Sequence, residues 1–68
     1  MEQADTPLLL DERQAAAYLS KPMGTLRQWR HRGLGPAYVK LGMSIRYKRT
    51  DLDRFIDANT VVPGAVPR

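Results

Sequence analysis

The sequence predicts a small α+β fold, and three observations lead to this prediction. Apolar residues recur with the 3.6-residue period of a helix before Gly33, and the same period returns after Thr50. Between these stretches, β-prone residues from Tyr38 to Lys48 form two short strand-like runs. The 68 residues suffice for one domain, which we place at residues 8–58, between a flexible lead (residues 1–7) and a flexible tail (residues 59–68).

The first helix is predicted at about Glu12–Leu19. Asp11 before it is a good N-cap, and Gln14 stands three residues later as the partner of a capping box. Ala15 and Ala16 lie on the apolar side of this helix. Because both side chains are small, we expect a second helix to approach closely.

A second helix is predicted to start near Pro22, which suits the first position of a helix. Its apolar side carries Met23, Leu26 and Trp29 and is expected to face the first helix, so we interpret Trp29 as a core residue. Gly33 can adopt the left-handed conformation that ends a helix. The opposite side is polar and is formed by Gly24, Thr25, Arg27, Gln28, His31 and Arg32.

A β-hairpin and a third helix follow. Tyr38–Leu41 and Ile45–Lys48 are predicted strands, joined by a loop of Gly42, Met43 and Ser44. Thr50 is predicted to cap the third helix with Asp53 as its capping-box partner, and the helix ends near Ala58. The expected apolar face of this helix consists of Leu52, Phe55 and Ile56.

Composition excludes several functional classes. The chain has no Cys and a single His, so neither a disulfide framework nor a Cys- or His-cluster metal site is expected, and we predict no cofactor. The acid pairs Asp11/Glu12 and Asp51/Asp53 fall in first helical turns, where capping and the helix dipole explain them, so we predict no enzymatic activity. No apolar run exceeds five residues, which predicts a soluble, cytoplasmic protein with no membrane partner.

The charges are segregated along the chain. Between Arg13 and Thr50 there are nine Lys or Arg residues and no acid, whereas all seven acids lie outside this window. Such runs are often only a solvated surface, but an unneutralised field of this kind also attracts a polyanion over roughly 8 to 10 Å. The segregation favours nucleic acid as the partner.

The order of helix, short turn, helix, hairpin and helix is that of a winged helix-turn-helix. Its second helix has the polarity to enter a major groove of double-stranded DNA, where Gln28 suits adenine, Arg27 suits guanine and the Thr25 methyl suits thymine. Arg46, Lys48 and Arg49 lie on or after the second strand of the wing. We expect them at phosphates or in a narrowed minor groove.

Three segments of the chain carry a resemblance to a known family. They are AAAYL in the first helix, TLRQWRHRGLGP across the second helix and its exit, and YVKLG followed by IRYKRTDL in the wing and third helix. Together they resemble the small excisionase-type, MerR-like winged-helix proteins of phages and prophages, over about Leu8–Ile56. Transcriptional regulators of the same winged-helix type resemble these proteins, so the pattern is less specific for the biological role than for the fold.

The resemblance implies a recombination directionality factor. Such a protein binds and bends attachment-site DNA beside neighbouring copies of itself, and it directs an integrase toward excision. Carried over by position, the recognition helix contributes Gly24, Thr25, Arg27, Gln28 and His31, and the wing contributes Ser44, Arg46 and Lys48. One departure stands out: Lys21 and Pro22 occupy the turn where relatives have an apolar residue and Ser or Thr, so the usual hydroxyl N-cap is missing.

Other interpretations of these residues stay open from sequence alone. The chain also fits a promoter-binding regulator, or an adaptor whose basic face meets an acidic protein. Arg30 is as well suited to an internal partner, Asp51 or Asp53, as to phosphate, and His31 as well to solvent at a helix end as to DNA. Tyr38 and Tyr47 could reach the DNA backbone with their hydroxyls, but packing on the sheet is favoured. The tail valines Val61, Val62 and Val66 belong either to an unstructured terminus or to a docking segment.

Overall fold

The computed structural model describes residues 8–64. Three helices accompany a small three-stranded antiparallel sheet, in the predicted order with one further strand at the start. The elements are β1 (Leu9–Leu10), α1 (Glu12–Leu19), α2 (Met23–His31), β2 (Val39–Leu41), β3 (Ser44–Lys48) and α3 (Arg49–Ala58). The α+β prediction is therefore confirmed, whereas the predicted lead and the last four residues of the predicted tail lie outside the described part of the chain.

Strand β1 was not predicted, because two residues are too short to show an alternating pattern. It pairs antiparallel with β3, with Leu9 opposite Lys48 and Leu10 opposite Tyr47, and the Arg49 backbone N–H donates to the Leu8 carbonyl at 3.0 Å. The strand order β1-β3-β2 makes β3 the central strand. The first described residues are thereby fixed to the base of the wing.

The wing is the hairpin of β2 and β3. Leu41 pairs with Ser44, so the loop contains only Gly42 and Met43, one residue fewer than predicted. Gly42 has φ +62°, a conformation that a two-residue hairpin loop requires at its first position and that glycine adopts without steric cost.

The core lies where α1 and α3 pack on β3. Its buried side chains come from all three helices and from strands β1 and β3: Leu10, Ala15, Ala16, Leu26, Tyr47 and Leu52. Met23 and Trp29 of α2 pack against this cluster, and the Trp29 ring lies 5.4 Å from that of Phe55, so the core interpretation of Trp29 is confirmed. The buried apolar face of α3 is narrower than predicted, because Ile56 remains 41% exposed.

The predicted cap of α1 is confirmed and that of α3 is wrong. The Asp11 carboxylate accepts from the Gln14 backbone at 2.8 Å, and the Gln14 side chain accepts from the Asp11 backbone at 2.9 Å. Helix α3 instead begins at Arg49, directly after β3, so Thr50 lies inside the first turn and cannot cap it. Asp53 accepts a 2.6 Å hydrogen bond from the Tyr18 hydroxyl, which ties α3 to α1 and raises the pKa of Tyr18.

Helix α2 starts one residue later than predicted. Pro22 is its N-cap rather than its first helical residue, and no side chain caps it, as the missing hydroxyl implied. At the other end, Gly33 has φ +71°, its N–H donates to the Arg30 carbonyl, and the Leu34 N–H donates to Trp29 at 2.7 Å. These bonds form a Schellman motif, and the predicted glycine terminus is confirmed.

Gly35 is expected to be the glycine that tolerates substitution least. It has φ +85°, and an added Cβ would lie 2.9 Å from the Cβ of Trp29, an atom that cannot swing aside. Gly35→Ala is expected to lower the free energy of unfolding by about 1 to 3 kcal/mol. Urea unfolding followed by circular dichroism measures the change.

Two further glycines serve as controls for this prediction. Gly33→Ala places a methyl group in open space at φ +71° and tests the backbone conformation alone. Gly24→Ala lies inside α2 with nothing within 4 Å, and it is expected to stabilise by up to about 1 kcal/mol through helix propensity. Equal effects of all three substitutions would contradict a steric role for Trp29.

Candidate nucleic-acid interface

The polar side of α2 is exposed over more than two turns. Gly24, Arg27, Gln28 and His31 are exposed, and Thr25 is half-buried. Arg27, Gln28 and His31 line a shallow depression together with Arg30 and Arg32. The Gln28 side chain makes no hydrogen bond to any residue of the described chain. Its amide donor and acceptor are both available to an external ligand.

Glu12, at the first position of α1, binds two arginines of α2. Its Oε1 accepts from Nε of Arg27 at 2.8 Å, and its Oε2 accepts from Nη1 of Arg30 at 2.7 Å. The side chains of Glu12 and Arg30 are 19% and 25% exposed, whereas that of Arg27 is 58% exposed. One carboxylate therefore joins the two helices, and Arg27 is the more exposed of its two arginine partners.

The electrostatics follow from this geometry. Burial acts to raise the pKa of Glu12, but the hydrogen bonds and charges of Arg27 and Arg30 outweigh it, so the pKa lies below its ordinary value of 4.5. The bond to Glu12 raises the pKa of Arg30 against the opposing effect of burial, and a hydrogen bond with Tyr47 adds to the increase. Both groups stay charged at neutral pH.

These contacts correct two interpretations of the sequence. The internal partner of Arg30 is Glu12 rather than Asp51 or Asp53, and the Arg30 guanidinium also lies 5.8 Å from the centre of the Tyr38 ring. Arg27, which was predicted on the polar side of the second helix and as a partner of guanine, also shares the carboxylate of Glu12. Glu12, which capping and the helix dipole explained from the sequence, also binds Arg27. Periodicity does not reveal this contact, because fifteen residues separate the two.

The cations of the wing lie on one side of β3. Ser44, Arg46 and Lys48 alternate with Ile45 and the buried Tyr47, so they point away from the core face of the sheet. Ser44 and Lys48 are exposed, whereas Arg46 is half-buried and its Nη1 donates to the Ile45 carbonyl at 2.8 Å.

Arg49, the fourth candidate residue of the wing, is the half-buried first residue of α3. It already has an interaction partner within the protein.

The Tyr38 ring packs 6.2 Å from that of Tyr47, as expected for cross-strand aromatics.

A groove brings the second helix and the tip of the wing together. It is bordered by Asp11, Glu12, Arg13, Met23, Arg30, Met43, Ser44, Ile45 and Arg46. Sequence reasoning gave Met43 no role, yet it stands at the tip of the wing with 97% of its surface exposed. Its place in the predicted hairpin loop was the available signal.

Glu12 also predicts a pH effect on stability. Because folding lowers its pKa, its ionised form stabilises the fold at pH above 4.5, and this contribution is lost as the pH falls through the folded-state pKa. Acidification from about pH 6 to about pH 3 is therefore expected to lower Tm more in the wild type than in Glu12→Gln. Thermal scans of both proteins across this range measure the difference, and parallel curves would contradict the role of the ion pairs.

Residues 8–64 contain no group of three or more His, Cys, Asp or Glu side chains that could hold a metal ion. In the same part of the chain, no helix has both the length and the apolar character that crossing a membrane requires.

A helix-turn-helix pair with a cationic hairpin beside its second helix defines a small winged helix-turn-helix, a class of DNA-binding module. The chain belongs to the family described as "Helix-turn-helix domain", whose sequence profile matches residues 9–60. This DNA-binding family includes excisionase-like proteins, and its members are typically not enzymes. No curated protein matches the chain.

Proposed function

We propose that this protein is an excisionase: it binds and bends attachment-site DNA and directs an integrase toward prophage excision. The observation that carries the DNA-binding part is the position of the wing beside α2. A groove between them is lined by Met23 and Arg30 of the helix and by Met43, Ser44 and Arg46 of the hairpin. The polar side of the same helix exposes Arg27 and Gln28. The excision role is supported by the three resembling segments and by a family that includes excisionase-like proteins.

In the proposed complex, α2 lies in a major groove and the wing follows the adjacent backbone or minor groove. The exposed side chains of α2 read base edges, because the major groove distinguishes all four base pairs by their donors and acceptors. Lys48 and Arg46 neutralise phosphates. Met43, at the tip of the wing, is almost fully exposed. Neighbouring copies on adjacent sites and an integrase are the proposed protein partners.

The electrostatic part of the proposal predicts a steep dependence on salt. With about four to six phosphate contacts, the logarithm of affinity is expected to fall against the logarithm of salt concentration with a slope of about −4 to −5. Fluorescence anisotropy with a labelled duplex at several salt concentrations measures this slope. A slope near zero, or equal competition by an acidic protein, would favour the adaptor interpretation instead.

The recombination role is tested with an integrase reaction on attachment-site DNA, with and without this protein. Stimulated excision together with suppressed integration is the expected result. No effect on either reaction, alongside protection of a promoter in a footprint, would contradict the excisionase proposal and favour a transcriptional regulator. A double variant carrying Gln28→Ala and Lys48→Ala is the matched control. It alters the proposed DNA-binding surface and leaves the buried core unchanged.

A further inference from the structure

We infer that Glu12 is a positioning residue for sequence discrimination, holding the guanidinium of Arg27 toward DNA while its own charge opposes binding to unspecific sequences. The inference rests on the proposed DNA-binding function. It goes further in assigning a role in specificity to a residue outside the recognition helix.

The hydrogen bond leaves the useful edge of Arg27 available. A guanidinium has five N–H donors, and Glu12 occupies the one on Nε at 2.8 Å. The donors on Nη1 and Nη2 form the fork that matches the O6 and N7 acceptors of guanine. Since 58% of the side chain is exposed, Arg27 is held at one point and remains open to a ligand.

Glu12 is itself held in place. Its second oxygen accepts from Arg30 at 2.7 Å, and the Arg30 guanidinium lies beside the Tyr38 ring. The backbone of Glu12 belongs to the first turn of α1, which the Asp11 capping box fixes. The orientation of Arg27 is thereby tied to α1 and the sheet, and less of its rotamer freedom remains to be lost on binding.

The negative charge has a second consequence. A carboxylate among the cations of this surface repels phosphates wherever the protein docks, whereas the benefit of an oriented Arg27 exists only at a matching base. Specificity is a difference of affinities, so a group that weakens all binding while aiding one contact increases discrimination. Removing the charge is expected to strengthen unspecific binding and to weaken the preference for the correct site.

The test compares Glu12→Gln with Asp57→Asn, which changes the net charge equally at an exposed site on α3. Affinities are measured for the duplex that the wild type enriches from a random pool and for a scrambled duplex. Glu12→Gln is expected to bind the scrambled duplex more tightly and to lose about tenfold in the ratio of the two affinities, whereas Asp57→Asn keeps the ratio.

A double-mutant cycle separates positioning from a general structural effect. If Glu12 acts through Arg27, Glu12→Gln has no further effect on the ratio in an Arg27→Ala background. Glu12→Asp keeps the charge but shortens the reach, so it is expected to lose discrimination without gaining unspecific affinity. It also provides a second variant if Glu12→Gln folds poorly, as thermal scans of each protein will reveal.

The outcomes distinguish this inference from the proposed function. A wild type that enriches no sequence, or binds no duplex, would overturn the proposed function and this inference with it. A wild type that discriminates, with a Glu12→Gln variant that discriminates equally well, would overturn the inference alone. An unchanged effect of Glu12→Gln in the Arg27→Ala background would also overturn it.

Discussion

Leu26→Ala is expected to lower the free energy of unfolding by about 2 to 5 kcal/mol. Leu26 is the buried residue of α2, with 1% of its surface exposed, and its side chain joins that helix to the core. Replacing it removes apolar burial and leaves a cavity that so small a core cannot refill. Because domains have only about 0.05 to 0.15 kcal/mol of stability per residue, the loss is a large part of the total.

Urea unfolding followed by circular dichroism measures this loss. Leu34→Ala is the matched control, because the same substitution at a side chain that is 55% exposed is expected to change stability by less than about 0.5 kcal/mol. A change below about 1 kcal/mol for Leu26→Ala would show that α2 is not anchored through this residue. DNA binding by Leu26→Ala should weaken in proportion to the unfolded fraction, since the binding surface requires the folded helix.

Gln28→Ala and Lys48→Ala are expected to affect DNA binding in different ways. Gln28→Ala should weaken binding to the preferred duplex by about 1 to 3 kcal/mol, roughly five- to 150-fold, and should leave binding to scrambled DNA almost unchanged. Lys48→Ala should weaken binding to all sequences alike and make the salt slope shallower by about 1, because it removes a proposed phosphate contact. The measurements are titrations of both duplexes at several salt concentrations.

Gln28 is a cleaner probe of base reading than Arg27. Arg27→Ala also removes one of the two arginine partners of Glu12, so its effect combines the loss of the proposed base contact with a changed ion-pair network. Arg54→Ala is the control for Lys48→Ala, because Arg54 is an exposed cation of α3 paired with Asp51 at 3.2 Å. If Gln28→Ala weakened all duplexes equally, Gln28 would belong to the phosphate contacts instead.

The fold was predictable where local patterns decide it. The period of the apolar residues gave three helices and a hairpin, and Asp11 and Gln14 gave the start of α1, because a capping box is set by residues three apart. The errors lie where tertiary pairing decides. Leu9 and Leu10 form a strand only because β3 is beside them, and Thr50 loses its cap position because β3 continues directly into α3.

The candidate site was predictable as a surface but not as a network. Helical spacing placed Gln28 and Arg27 on the polar side of α2, and both are exposed. The same spacing could not reveal that Glu12 holds Arg27 and Arg30, because this contact depends on how α1 crosses α2. Which side chains touch bases stays a prediction, since base contacts depend on a partner that is not part of the fold.

The direct passage from β3 to α3 has a mechanical consequence. No residue separates Lys48, the last of the strand, from Arg49, the first of the helix, and β1 is hydrogen-bonded along the same end of β3. The β3 side of the wing therefore has no linker at its base, and the buried Tyr47 anchors this strand in the core. When helix and wing engage one duplex together, the adjustment falls on the DNA, whose bending energy depends on its sequence. In the proposed complex, the protein would then act as a stiff template, and we expect site selection to depend partly on how easily each DNA sequence deforms.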